Sequence, residues 1–328
     1  MCLKSVESAS GQAEAEYRAA VERGAWFERD GRGLICVSGS ERQTWLHNLV
    51  TNDIRGLKEG RGCYAFALDV RGRILFDMDV LALNDALWLD LDAAYVEMAL
   101  RHFDRYLITE DARPEDRSGA YTRMGCVGPR AGEIARKFGA EAFEAMGASS
   151  VVTLGNEAWL VRCDLGQVPG FELIVAREHV EEWRGRLAAS GAARISDATL
   201  EVLRIEAGLL RAGHELDGSA LPAETGQLKR AVSFKKGCYL GQEIVERMRS
   251  HGSVARRLVR VELEQGEGME LPACLRQESE EVGRIMSLAR HPISGRWIGL
   301  GYLKTRVTRM EAIAAGEQAQ PVDIAELA

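Results

Sequence analysis

The sequence predicts an α+β protein that ends in a small β-barrel, and three observations support this. In the first 117 residues helix and strand signals alternate, and the strand order is antiparallel. The middle of the chain reads βαββ(β)α, which has the character of split βαβ units of ferredoxin type. After residue 251 short strands follow at fairly regular spacing, with Gly and Pro between them and almost no helix.

Along the chain, Ser40 followed by Gln43 reads as a capping box, and Trp45, Leu46, Leu49 and Val50 recur at helical spacing. A helix is therefore expected over 41–50, stopping near Asn52. Tyr64 to Leu68 and Ile74 to Leu83 are apolar runs joined by the turn-rich Asp69-Val70-Arg71-Gly72, a hairpin. A strand at 87–91 and a helix over 93–107 follow. At 108–120, Pro114, Gly119 and six charges erase the apolar periodicity, marking a domain boundary. Strands are expected at 124–127, 151–154, 158–163 and 171–175, and helices after Gly128-Pro129 and over 178–187. Past a second boundary near 249–252, strands are expected at 258–263, 269–275, 281–287 and 297–303.

The 328 residues allow two or three domains, and 46% hydrophobic with 28% charged residues is an ordinary globular composition. A net charge of −7 disfavours nucleic acid or anionic lipid unless a local basic patch supplies the attraction. The N-terminal residues read as neither a secretory signal nor a transit peptide. The most apolar stretch, 80–100, is broken by Asn84, Asp85, Asp90, Asp92 and Glu97, and each charge at bilayer depth costs about 2.5–3.5 kcal/mol, so no segment is expected to span a membrane. Seven scattered cysteines without CxxC or Cys/His spacing read as reduced thiols in the cytoplasm, with no metal site and no iron-sulfur cluster of the chain's own. Phosphate-loop, GxGxxG, GxSxG and HExxH motifs do not occur.

The informative stretch is 227–260, where nine Lys and Arg face only Glu243 and Glu246, a local +7 within a chain of −7. Such a segment suits an anionic ligand or partner, or is a solvated face at a domain junction. Within it lie Lys236, Gly237, Cys238, Tyr239, Leu240, Gly241, Gln242 and Glu243, with Ile244, Val245 and Met248 continuing as an apolar helical stripe. Lysines beside Cys238 and a helix start close after it favour a thiolate; a packed structural thiol is the alternative.

KGCYLGQE resembles the octapeptide of the YgfZ-type folate-binding proteins, relatives of the glycine-cleavage T-protein (the GcvT-like aminomethyltransferases). Leu46 to Leu57 (LHNLVTNDIRGL), Arg71 to Asp77, Leu203 to Gly208 with Pro222, Ala223 and Glu224, and Val282 to Ser287 resemble further elements in the same order, over about residues 17 to 310. The resemblance implies three domains around a central hole that holds tetrahydrofolate or a one-carbon derivative: a discontinuous folate-binding α+β domain of 15–117 plus 200–250, a ferredoxin-like domain of 118–199, and a C-terminal β-barrel of 251–328. Glu172 is similar in position to the acid that reads the pterin's guanidine-like edge, and Asp77 to the acid near the folate's reactive nitrogens. Asp79 shares a strand face with Asp77. The anionic glutamyl tail would meet Arg230, Arg247 or Arg249, and Tyr64 or Tyr239 would stack on the pterin or fill core.

The T-protein relatives carry a GR/GK-E sequence where this chain has its thiol motif, which speaks against aminomethyl transfer. The resemblance instead implies a tetrahydrofolate-dependent accessory role in the maturation or repair of iron-sulfur proteins, linked to tRNA-modifying iron-sulfur enzymes, with Cys238 and Asp77 as the chemically active groups. Iron-sulfur clients or assembly factors would be its partners. An aminomethyltransferase and an RNA-binding module, with weak RNA contact through the basic segment, are the alternatives.

Overall fold

The structure is a computed structural model that describes residues 2–83, 85–155, 157–252 and 254–327. Helix α1 (Cys2–Glu22) leads into strand β1 (Ala25–Glu28), and the turn at residues 29–31 carries the chain over to β2 (Arg32–Ser38). Helix α2 (Arg42–His47), β3 (Arg61–Leu68), β4 (Ile74–Ala82), β5 (Leu87–Asp92), α3 (Val96–Asp104) and β6 (Arg113–Asp116) complete the first region. Its sheet is fully antiparallel in the order β3-β4-β5-β2-β6. Alternation assigns its faces: Ala65, Ala67, Phe76, Met78 and Val80 pack with residues of α2 and α3, while Tyr64, Phe66 and Leu68 face the opposite way, joined by Ile74 across the bulge between β3 and β4 at Ala67/Leu68.

Two local expectations are corrected here. Helix α2 covers only 42–47: Ser40 does not cap it, its backbone N–H and its hydroxyl both donating to Asp111 Oδ2 at 2.9 Å, and at the other end the chain leaves the helix to pair Val50 with Ala67 of β3. The aperiodic stretch 108–120 contains β6, which pairs with β2 at the sheet edge. A charged strand carrying Pro114 is tolerated at an edge, where it also discourages pairing with other chains.

The second sheet collects β7 (Tyr121–Val127), β8 (Val151–Gly155), β9 (Ala158–Arg162), β10 (Gly170–Ala176) and β11 (Ala193–Arg194) in the order β11-β1-β7-β10-β9-β8. Strand β1 therefore lies in this sheet, with residues 121–194, and not beside its neighbour β2. Helices α4 (Ala131–Lys137) and α5 (Val180–Ala189) cover one face, burying Trp183 and Phe171. An apolar seam of Leu34, Leu81 and Trp88 against Tyr121, Val151 and Ile174 joins the first two sheets.

Helices α6 (Asp197–Glu206), α7 (Leu228–Ala231) and α8 (Gln242–His251) then lead to β12 (Arg256–Leu263), β13 (Ala273–Gln277), β14 (Glu280–Arg290), β15 (Trp297–Lys304), β16 (Ile313–Ala315), β17 (Gln320–Pro321) and β18 (Asp323–Glu326). These seven strands form one antiparallel sheet that curls as a half-barrel, so the fold is the α+β arrangement with a C-terminal β-barrel that the sequence predicts. The strand expected at 269–275 begins only at Ala273, after Pro272. Tyr239 and Val245 share a core with Phe66 of the first sheet and with Leu258, Leu300 and Tyr302 of the last one. Among the described residues no helix is long and apolar enough to cross a membrane.

Candidate functional site

The inner face of the first sheet puts acids in a row. Cross-strand pairing sets Tyr64 beside Asp79 and Phe66 beside Asp77, and Asp79 lies opposite Asp90 of β5. Like charges directly opposite each other destabilise a sheet, and here cations and hydroxyls relieve the repulsion. Asp90 is held between Arg32 (Nε to Oδ1, 2.9 Å) and Arg123 (Nε to Oδ2, 2.9 Å), the latter reaching across from β7 of the second sheet. Asp79 accepts from Ser149 Oγ at 2.9 Å, and Asp77 from the Tyr64 hydroxyl at 2.8 Å. Burial pushes the Asp77 carboxyl above the ordinary carboxylate range with help from nearby Asp79, while the Tyr64 hydrogen bond, Arg32 and Arg230 work in the opposite direction.

The facing row belongs to the second sheet, where Phe27, Gly125 and Glu172 are aligned across β1, β7 and β10. A Cβ at position 125 would come within 2.5 Å of the Phe27 ring, so glycine there lets that ring lie against the strand beside Glu172. Arg29 forms an ion pair with Glu172 Oε1, and the Cys163 thiol is 4.0 Å from the same oxygen. Burial pushes that thiol up to about 12, so it stays protonated.

Between the two rows lies a cavity of about 460 Å³, lined among others by Asp77, Asp79, Tyr64, Glu172, Arg29 and Arg230. A volume of this size is ordinary for a small-molecule site, and convergent polar groups in a partly apolar wall fix a ligand's orientation. Arg230 lies with its guanidinium 3.9 Å from the Tyr64 ring centre, and Asn52 Nδ2 ties the two residues together by donating to the carbonyl of Tyr64 at 2.8 Å and to that of Arg230 at 2.9 Å.

The sequence-derived residues thus fall into two groups. Asp77, Glu172 and Arg230 meet at the cavity; Cys238, Tyr239, Arg247 and Arg249 are not among its lining residues. Cys238 is exposed, whereas Tyr239 is buried in the core shared by α8 and the C-terminal sheet. On α8, Arg249 pairs with Glu246 and lies 4.8 Å from the Phe234 ring centre, and Arg247 points outward. Lys236, expected to favour a thiolate at Cys238, instead donates to three backbone carbonyls, those of His47, Val50 (2.6 Å) and Asn52 (2.8 Å). Gln242 accepts from the Tyr239 N–H at 3.3 Å, and Gly241 opens α8 with φ of 81° against the 69–72 turn, where a Cβ would sit 2.7 Å from the Asp69 carbonyl. Glu243 is exposed and Gly237 makes no close approach. Within the basic segment Arg256 pairs with Glu224 and Arg257 with Glu326. Among the described residues no group of three or more His, Cys, Asp or Glu comes together as a metal site.

Arg29, Arg32, Asp90, Arg123, Ser149 and Cys163 shape the site without having been singled out in the sequence. The Glu28-Arg29-Asp30-Gly31-Arg32 run, a charged turn between two apolar strands, was the available signal.

Comparison with known proteins agrees with this architecture. The chain is 29% identical over 297 residues to an aminomethyltransferase of Rubrobacter xylanophilus, covering 88% of this chain and 78% of that protein. It is 25% identical over 307 residues to an aminomethyltransferase of Chloroherpeton thalassium, covering 90% and 84%. The crystal structure of glycine cleavage system aminomethyltransferase T from Bartonella henselae superposes with a TM-score of 0.84 over 96% of this chain and 88% of that one, at 16% identity, a likeness of fold. The family profile described as GCVT N-terminal domain matches residues 5–236, and the chain belongs to that family.

Proposed function

We propose that this chain binds tetrahydrofolate, or a one-carbon derivative of it, in the cavity between the first two sheets and serves as an accessory factor in the maturation or repair of iron-sulfur proteins, including tRNA-modifying ones. The observation that carries the binding part is the meeting of Glu172, Asp77 and Arg230 around one cavity from three separate parts of the chain. The residues fit the ligand chemically. Glu172 offers a carboxylate to the donor edge of a pterin, since charge-assisted bonds to such an edge are strong and directional. Asp77, half-buried and bonded to Tyr64, can hold or accept a proton. Arg230 supplies a cation on the cavity wall for an anionic tail. When bound, the folate supplies the nitrogen atoms that carry a one-carbon unit.

The accessory role rests on the KGCYLGQE resemblance and on an exposed Cys238 that a client protein can reach. In this reading 15–117 with 200–250, 118–199 and 251–328 act as three units of a cytoplasmic protein, except that β1 (Ala25–Glu28) joins the second unit's sheet. The basic segment gives little support to RNA contact, because Lys236, Arg249, Arg256 and Arg257 are engaged within the chain. The names of the curated relatives favour one second reading, aminomethyl transfer, which requires ammonia release from an aminomethylated lipoyl carrier.

Thermal unfolding with and without tetrahydrofolate tests the binding. A ligand at a hundredfold excess over Kd stabilises the native state by roughly 2.7 kcal/mol, and Glu172→Ala should lose most of that gain. No stabilisation of the wild type removes the folate reading. Cys238→Ser should abolish restoration of an iron-sulfur enzyme while leaving folate stabilisation intact; full restoration by that variant removes the accessory role of the thiol.

A further inference from the structure

The acid proposed to read the ligand is already occupied. Arg29 leaves the chain just past β1, anchored by its backbone N–H to the Arg123 carbonyl at 3.0 Å, and its guanidinium is paired with Glu172 Oε1. The Glu172 side chain is 9% exposed, whereas that of Arg29 is 34% exposed at the cavity wall. The proximity of Glu172 raises the Arg29 pKa further, so this cation is permanent. The Phe27 ring lies on the neighbouring position of the same row, and the Cys163 thiol, protonated and uncharged, is the other group near that oxygen. A guanidine-like ligand edge needs both carboxylate oxygens to bind in bidentate fashion, and one of them carries the protein's own guanidinium.

We infer that Arg29 is a specificity-determining residue that competes with the ligand for Glu172. The inference rests on the folate reading above. A ligand must supply a donor edge good enough to displace a charged, like-shaped group from a nearly buried carboxylate. Ligands that offer one weak donor fail to do so. The displaced guanidinium stays on the cavity wall, next to Arg32, whose positive charge opposes it. The cavity is thereby kept from binding apolar or singly donating heterocycles of the same size.

The test is calorimetric titration of the full chain with tetrahydrofolate in wild type, Arg29→Met, Arg29→Gln, Glu172→Gln and the double variant Arg29→Met/Glu172→Gln. Without ligand, Arg29→Met should melt below wild type, because it leaves Glu172 buried and unpaired. With ligand, Arg29→Met and Arg29→Gln should bind about tenfold or more tightly than wild type. That gain should vanish in the Glu172→Gln background, which a general effect of Arg29 on packing would not produce. If Arg29→Met does not fold, Arg29→Gln, which keeps a hydrogen-bond donor, decides the matter. Unchanged or weaker binding by the Arg29 variants while the wild type binds overturns the inference alone. Binding by none of the proteins overturns the folate reading and the inference with it.

Discussion

Asp77 carries a cost that its neighbours only partly offset. Its carboxyl is pushed above the ordinary value of 3.8 mainly by burial, so between that value and the folded one the native chain binds more protons than the unfolded chain. The contribution of the protonated group to stability is complete below the unfolded value and is lost as pH rises through the folded value. Asp77→Asn keeps an acceptor for the Tyr64 hydroxyl and removes the charge. It should raise stability at pH 7, and the advantage should close below about pH 4, as read from urea midpoints across pH. An advantage that persists unchanged at low pH would mean that ionisation is not its source. Removal of the same carboxylate should weaken function, the usual exchange between stability and a working site. Asp77 was legible in the sequence through the resemblance of the Arg71 to Asp77 stretch to the family's strand. The partners that neutralise the site were not, since Arg29 and Glu172 are 143 residues apart, Arg32 and Asp90 58, and Arg123 and Asp90 33. Arg32 with Asp90 and Arg29 with Glu172 are brought together by strand order within one sheet, and Arg123 with Asp90 by the packing of the two sheets, none of which local periodicity reports.

Among the elements, the segment from Lys236 to Gly241 is a loop pinned at both ends. Lys236 threads its ammonium into carbonyls at the end of α2 and just beyond, and the Leu240 N–H donates to the Asn48 carbonyl at 3.2 Å. Helix α2 has only six residues, so its terminal carbonyls need outside donors, and a lysine from far along the chain supplies them. Lys236→Met removes all three bonds and should cost about 3 kcal/mol by urea unfolding, with faster proteolysis at 235–241 as the local sign. A change below about 0.5 kcal/mol would show the pin to be dispensable. The glycines and the apolar stripe of this segment predicted α8 well, whereas the role of Lys236 ran against expectation because its partners are backbone atoms, which carry no sequence signature. For the same reason α2 ends earlier than expected: the partners that draw Val50 and Thr51 out of the helix are backbone groups of β3, at Ala67 and Phe66. Strand β6 was hidden by the Pro and charges that make it a safe edge.

For the whole molecule, the decisive joint is the one that ties the C-terminal sheet to the cavity. Glu215 is fully buried in the loop after α6, and its Oε2 accepts from Arg204 at 3.1 Å and from the Arg211 N–H at 2.9 Å. Its Oε1 accepts from Ser287 of β14, and its backbone carbonyl from the Tyr302 hydroxyl of β15 at 3.0 Å. Arg204 also bonds Ser287 at 2.9 Å and pairs with Glu201, and Arg204, Glu201 and Arg211 all line the cavity. One buried carboxylate thus links two strands of the last sheet to the wall of the ligand site. Removing one partner of a buried ion pair leaves the other charge unpaired, so Glu215→Ala should cost about 3–5 kcal/mol. Glu215→Gln, which keeps hydrogen bonding but drops the charge, should cost less. Because Arg204 then loses its anchor, folate stabilisation should fall in Glu215→Ala although position 215 is not among the cavity's lining residues. Calorimetry separates this from simple weakening: a joint that couples the parts predicts one unfolding transition for the wild type and two for the variant, with the half-barrel melting apart from the rest. A lower melting point with one transition and undiminished folate stabilisation would show that the C-terminal sheet and the cavity are held together elsewhere, through the apolar core around Phe66, Leu300 and Tyr302.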